Sequence, residues 1–170
     1  HLGLSKGQIV FSTQKLTPNH LAEMYNAADV TINISDAEGF GLATLESLSC
    51  ETPIIVNMTG GLQEQVTDGE NWFGVGIEPC SKAVIGSANV PWIHEDRISE
   101  TDFVNALETM YNMSAKERNE LGKAGRDHVN KNYNFKNFEK TWVDLMLDIH
   151  KKSGSWSTRK NYSSWEVETL

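Results

Sequence analysis

The order of elements in this 170-residue chain predicts an α/β fold, a doubly wound parallel sheet with helices on both faces. Three observations carry the prediction. Short β-branched runs, VTINI at 30–34 and PIIV at 53–56, have the length and composition of strands. Segments with helical apolar spacing alternate with them. Glycine-bearing turns, EGFGL at 38–42 and TGG at 59–61, fall at the joins, as strand-to-helix crossovers of a parallel sheet require.

In chain order, IVF at 9–11 reads as a strand ended by STQ. The segment 20–29 places Leu21, Met24 and Tyr25 on one side, with Ala27 and Ala28 beyond, and reads as a helix. Strand 30–34, the EGFGL turn, a helix over 43–50 and strand 53–56 follow. A short helix near 62–67 leads through the turn DGEN to a strand at 72–77. Pro79, Gly86 and Pro91 interrupt 78–99, which has no period and reads as a long loop or insertion. Helices resume at Glu100, with Phe103, Leu107 and Tyr111 on one stripe and Met110 beside it. Ser114 and Glu117 form a capping-box pattern, and Trp142, Leu145, Met146 and Ile149 line one side of the last helix. Residues 1–152 read as one domain and 153–170 as a polar tail that docks through Trp156 and Trp165.

With 39% hydrophobic residues the chain can bury a core, and no apolar run approaches the roughly 20 residues that span a bilayer. The start, HLGLSKGQ, lacks the order of a signal peptide, and a first residue other than Met reads as the start of a fragment. A formal charge of −8 argues against a nucleic-acid or anionic-membrane surface. Cys50 and Cys80 make neither a zinc spacing nor a disulfide framework, which fits a reducing compartment, and Cys50 reads as core. Sequons begin at Asn33 and Asn57; Asn33 lies inside a strand, where a chance match is the better reading.

The stretch DAEGFGLATLESLSCETPIIV, 36–56, concentrates the chemistry. A strand enters a glycine turn that opens a helix, at the carboxyl edge where ligands of open parallel sheets bind. Unpaired amides and the dipole at that helix end suit an anion, most naturally phosphate. Gly39 and Gly41 let backbone approach a ligand without a Cβ between. At about 1.5 Å per residue, Glu46 lies roughly 7 Å along the axis from the amides, the offset of a sugar from its phosphate. A carboxylate there can accept from two hydroxyls, while Glu38 precedes the helix and serves a second sugar. Spacing alone equally allows an exposed loop glutamate and a solvated helix glutamate.

EGFGLATLESLSCETPIIV resembles the E-x7-E signature of retaining GT-B glycosyltransferases of family 4, and LAEMYNAADVTINIS and GGLQEQVTDGEN extend the likeness over about the first 75 residues. The resemblance implies the Rossmann-like C-terminal half of a GT-B fold, the donor-binding half. It implies that Glu38, the catalytic-site carboxylate, holds hydroxyls of the donor sugar, and that backbone at Gly39, Phe40, Gly41 and Leu42 meets the sugar and diphosphate. Thr44 adds a hydroxyl to a phosphate oxygen, Glu46 binds the ribose, and the base lies against Thr13, Lys15 and Leu16, although Lys15 reads equally as a surface lysine. Ala43 replaces a common Pro, and Glu51 a common Gly, with strain expected at that turn. The family's diphosphate-neutralising Arg and Lys, and its N-terminal acceptor-binding domain, would precede His1 and are missing from this chain. Lys82 and Lys123 have no motif context and read as surface.

The implied reaction moves a hexose from a nucleoside-diphosphate sugar to a hydroxyl of a saccharide or lipid-linked acceptor, with retention at the anomeric carbon. It needs no metal and no cofactor beyond the donor, and association favours GDP-mannose over UDP-sugars. The resemblance also implies a cytoplasmic protein, peripheral at a membrane through the missing domain, and little activity in the isolated chain. A non-catalytic sugar-nucleotide module is the rival reading; the upstream Arg/Lys pair and acceptor domain separate the two. A 2-epimerase on the same fold carries different motifs, and a response-regulator-like domain needs an acidic cluster that only Asp36 and Glu38 approach.

Overall fold

The structure is a computed structural model and describes residue 4 and residues 6–161. Its contacts divide the chain into two compact units with the boundary between Asp127 and His128. In chain order the elements are α1 (Pro18–Ala27), β1 (Thr31–Asn33), α2 (Leu42–Ser49), β2 (Ile54–Asn57), α3 (Leu62–Val66), β3 (Gly74–Ile77), β4 (Ser81–Ile85), β5 (Ile93–Arg97), α4 (Glu100–Asn112), α5 (Ala115–Asn132) and α6 (Phe135–Ser153).

In the first unit, β1, β2 and β3 form a parallel sheet in that order, with Thr31 opposite Ile54 and Ile54 opposite Gly74. The central strand is buried throughout: Ile54, Ile55, Val56 and Asn57 have no exposed surface. Strand periodicity divides it. Ile55 packs with Ile77, Ala106 and Met110 on the side covered by α4. α2 and α3 also pack on β2, and their Leu48, Leu62 and Val66 are fully buried. The predicted α/β class with a parallel sheet is what the structure shows.

Local chemistry accounts for the helix ends. Thr17 caps α1 ahead of Pro18, and Ser99 caps α4 by accepting from the Asp102 amide. The predicted capping box is present: the Glu117 carboxylate accepts from the Ser114 amide (2.7 Å), and Ser114 Oγ accepts from the Glu117 amide (3.3 Å). The Ser114 hydroxyl, which also donates to the Glu117 carboxylate (2.7 Å), and then the Ser114 amide hold the Glu117 carboxyl below its ordinary range. α2 ends in a Schellman turn, in which the Thr52 amide donates to Ser47 O and the Glu51 amide to Leu48 O (both 3.0 Å). Glu51 sits there at φ 62°, so the expected strain at the position of the missing glycine is present. Its carbonyl leaves no space for a side chain at position 122, where a Cβ on Gly122 would lie 1.8 Å away.

Three expectations are corrected. Residues 9–11 form no strand; Val10 and Phe11 are 83% and 84% exposed, and an apolar triplet without a neighbouring strand has nothing to pair with. Residues 78–99 are not an irregular loop but hold the antiparallel hairpin of β4 and β5, in register from Ser81 opposite Arg97 to Ile85 opposite Ile93. Cross-strand pairing through a long connection leaves no period to read. Cys50 is half-buried rather than core.

In the second unit, α6 is helical as its spacing predicts, but its stripe is exposed, with Trp142 at 51% and Met146 at 60%. Spacing specifies that residues share a face, not that something covers it. Trp156 is 81% exposed, with the Arg159 guanidinium 4.1 Å from its ring centre. Trp165 lies outside the described residues.

Candidate functional site

The candidate site is built from two loops at the carboxyl ends of β1 and β2. The first spans 35–41 and the second holds Thr59, Gly60 and Gly61. The Gly61 amide donates to Gly39 O (3.2 Å). The approach is closer than side chains permit: a Cβ on Gly60 would stand 1.7 Å from Glu38 O, and one on Gly61 2.7 Å from Phe40 O. Gly41 opens α2 at φ 86°, and a Cβ there would meet Leu62 Cδ2 at 2.5 Å. Gly39 differs, since among the described residues no atom lies within 4 Å of where its Cβ would be. Three glycines are therefore required by the protein's own packing. Gly39 leaves open space, which is what a ligand-facing glycine provides.

α2 begins without a side-chain cap on Gly41 and without an acidic residue in its first turn. The amides of Leu42, Ala43 and Thr44 have no intrahelical acceptor by the geometry of a helix start, so the end is free to meet an anion. Phe40 and Leu42 are exposed, at 44% and 67%. Thr44 is not available as the sequence suggests: it is fully buried, and its hydroxyl proton is shared between Gly41 O (2.8 Å) and Gln65 Oε1 (2.6 Å). Gln65, also fully buried, donates from its other amide atom to Phe40 O (2.6 Å). Thr44 and Gln65 thus fix the turn from behind, and only the Thr44 backbone stays near the helix start.

The two glutamates occupy different surroundings. Glu38 is half-buried; Oε1 accepts from the Gly39 amide (3.0 Å) and Oε2 lies 3.5 Å from Asn33 Nδ2. Glu46 is exposed on α2 and accepts from the Tyr25 hydroxyl (3.1 Å). Partial burial and then the neighbouring carboxylate push the Tyr25 hydroxyl up to about 12, so it stays a donor at neutral pH. Burial also pushes the Cys50 thiol up. Tyr25 and Glu46 share a cleft of about 240 Å³ with Pro18, Leu21, Ala22 and Ser49. Thr13 and Lys15 are exposed and Leu16 half-buried in the stretch that leads into α1. A larger cavity of about 570 Å³, with Val30, Val104, Leu107 and Tyr111 in its walls, includes none of these site residues.

Sequence reasoning missed Tyr25 and Gln65. Tyr25 reads as one more apolar residue of a helix face, and only its distance to Glu46 gives it a role; Gln65 carries no signal at all. Asn57 is fully buried, with its amide donating to Ser35 O (2.9 Å) and Asp96 O (2.8 Å), so that sequon is closed in the folded chain.

Residues 1–128 match the family described as glycosyl transferases group 1. The chain belongs to that family. Its curated relatives include a D-inositol 3-phosphate glycosyltransferase of Acidothermus cellulolyticus, 43% identical over 81 residues, which cover 47% of this chain and 18% of the relative. A protein of the same description from Thermomonospora curvata is 44% identical over 66 residues, covering 38% and 15%. The matched stretches thus span less than a fifth of these relatives. Among solved structures, sucrose-phosphate synthase from Thermosynechococcus elongatus is similar over 78% of this chain and 28% of its own, with a TM-score of 0.58 and 27% identity. The C-terminal domain of a glycosyl transferase group 1 family protein from Francisella tularensis shares the fold over 75% of this chain and 53% of its own, with a TM-score of 0.51 and 24% identity. The group 1 match includes both loops, α2 and the two glutamates, and among the described residues no helix is long and apolar enough to cross a membrane.

Proposed function

We propose that this chain is the donor-binding half of a retaining family 4 glycosyltransferase, which moves a hexose from a nucleoside-diphosphate sugar to a hydroxyl of a saccharide or lipid-linked acceptor. The observation that carries the reading is the uncapped start of α2 beside an open Gly39, with one carboxylate before it and one a turn beyond. The α2 amides receive the diphosphate and stabilise the charge that grows on it as the anomeric C–O bond breaks. Glu38 takes hydroxyls of the sugar and orients its anomeric carbon. Glu46, steadied by Tyr25, takes the ribose hydroxyls, and Thr13, Lys15 and Leu16 meet the base. Residues 1–152 form the donor domain and 153–170 a tail; an acceptor domain and the cations that complete the diphosphate site belong to the rest of the protein. The site works without a metal or other cofactor, GDP-mannose is the favoured donor, and the protein acts in the cytoplasm or at its membrane face.

Calorimetric titration of the chain with GDP, UDP and their sugars, in chelator, tests this. Saturable binding of one base family, weakened by roughly 1–3 kcal/mol in Glu46→Ala, is the expected result. No binding of any of them, by this chain or by the full-length protein, overturns it.

A further inference from the structure

The β4–β5 hairpin is tied at its base to both loops of the candidate site. The Asp96 amide donates to Asp36 O (2.7 Å), and Asp96 O accepts from the buried Asn57 amide (2.8 Å), which also holds Ser35 O. The Asp96 carboxylate accepts from the Thr59 hydroxyl (2.8 Å), with the Lys82 ammonium 3.6 Å away on its other oxygen. Arg97 pairs with the Asp36 carboxylate (2.7 Å) and, through its other terminal nitrogen, with Glu95. Two adjacent residues of one strand therefore reach Asp36 on the first loop, Asn57 at the end of β2 and Thr59 on the second loop, and Asn57 in turn holds Ser35. Glu38 lies two residues beyond Asp36, and Gly60 follows Thr59 directly.

We infer that the β4–β5 hairpin is a brace for the Glu38 loop, and that Asp96 and Arg97 are positioning residues for recognition of the donor sugar. The inference rests on the donor reading of Glu38. It concerns the sugar and not the nucleotide, because Glu46 has a separate support in Tyr25 on α1, which the hairpin does not touch through any of these bonds. The contacts are built for local control. Asp36 and Arg97 side chains are 38% and 46% exposed, and a pair so placed adds little to global stability. Neither residue belongs to the apolar core. What their loss changes is the freedom of 35–41 to leave the one conformation in which Gly39 O meets the Gly61 amide. The hairpin thereby holds the start of a loop whose far end is already held by the Gly61 amide, Gln65 and Thr44.

Two measurements on the chain, as wild type, Arg97→Ala, Asp96→Ala and Arg97→Lys, decide the inference. The first is amide hydrogen exchange at 35–41 without ligand, with β2 as the internal control. The second is the ratio of affinities for GDP-mannose over GDP and for UDP-glucose over UDP. The expected result for Arg97→Ala and Asp96→Ala is exchange at 35–41 about fivefold faster with β2 unchanged, the upper end for a partly exposed ion pair. The sugar-over-nucleotide ratio falls by a similar factor while binding of the bare nucleotide holds, and Arg97→Lys restores both. Exchange at 35–41 equal to wild type in both alanine variants overturns the brace. A loss shared equally by nucleotide and sugar nucleotide overturns the sugar-specific role. If Asp96→Ala does not fold, Arg97→Ala and its lysine rescue carry the decision. Wild-type chain that binds none of the four ligands counts against the donor reading, and the exchange rates then still decide the brace.

Discussion

The two ends of the candidate site are held by different means. Around Glu38, backbone lies on backbone: Gly60 and Gly61 press against Glu38 O and Phe40 O, with no space for a Cβ. Around Glu46, a rigid helix supplies the position and one side-chain hydrogen bond from Tyr25 supplies the orientation. A loop built by close backbone approach tolerates almost no change in its glycines. A helix position tolerates loss of its partner, because the scaffold survives.

The sharpest way to break that contrast is Gly60→Ala. A Cβ 1.7 Å from a carbonyl oxygen, at a φ of 50°, must push the loops apart, and we expect a loss of about 3 kcal/mol or more in urea unfolding together with loss of ligand binding. Next is Glu46→Ala, which leaves the fold intact and weakens nucleoside-diphosphate binding by roughly 1–3 kcal/mol in calorimetry. Tyr25→Phe removes only the supporting bond, and a loss of about 1 kcal/mol or less in the same titration is expected. A loss as large as that of Glu46→Ala would show that the helix does not suffice to place the carboxylate.

Tyr25 also has a signature in pH. Its hydroxyl keeps its proton to about 12 in the folded chain but releases it near the ordinary 10.0 when unfolded. Between those values the unfolded state holds fewer protons, so stability falls as pH rises. Denaturant midpoints across that window should decline less steeply in Tyr25→Phe than in wild type. The smallest effect is expected at the far end of α2. Glu51→Gly relieves a left-handed backbone at φ 62° but gives up the half-exposed pair with Arg126, for a net gain of about 0.5–1 kcal/mol in urea unfolding.

Much of the candidate site can be read from 36–56 because its chemistry is local in sequence. A strand, a glycine turn and a helix in succession specify an anion-receiving helix start, and nine consecutive residues, 38–46, contain both glutamates. Thr44 shows the limit of local reading. Its place in the first turn suggests a phosphate contact, yet α3 lies behind that turn and Gln65 takes the hydroxyl. Residues 78–99 show a second limit. A hairpin is defined by which residues face each other across a turn, and Pro79, Gly86 and Pro91 hide pairing that only the backbone course reveals.

By itself, the sequence determined the α/β alternation, the capped helix starts, the strained turn at Glu51 and the glycine-opened helix between two carboxylates. Each of these depends on neighbours within a turn or two, where backbone sterics and hydrogen bonding act directly. Tertiary structure alone decided that Gly60 and Gly61 serve the other loop, that Tyr25 holds Glu46, that Gln65 claims Thr44, and that the hairpin reaches Asp36 and Thr59. Those contacts join residues 21 to 61 positions apart, and which side chain a carboxylate or amide meets at that separation is set by how strands and helices pack rather than by any local preference.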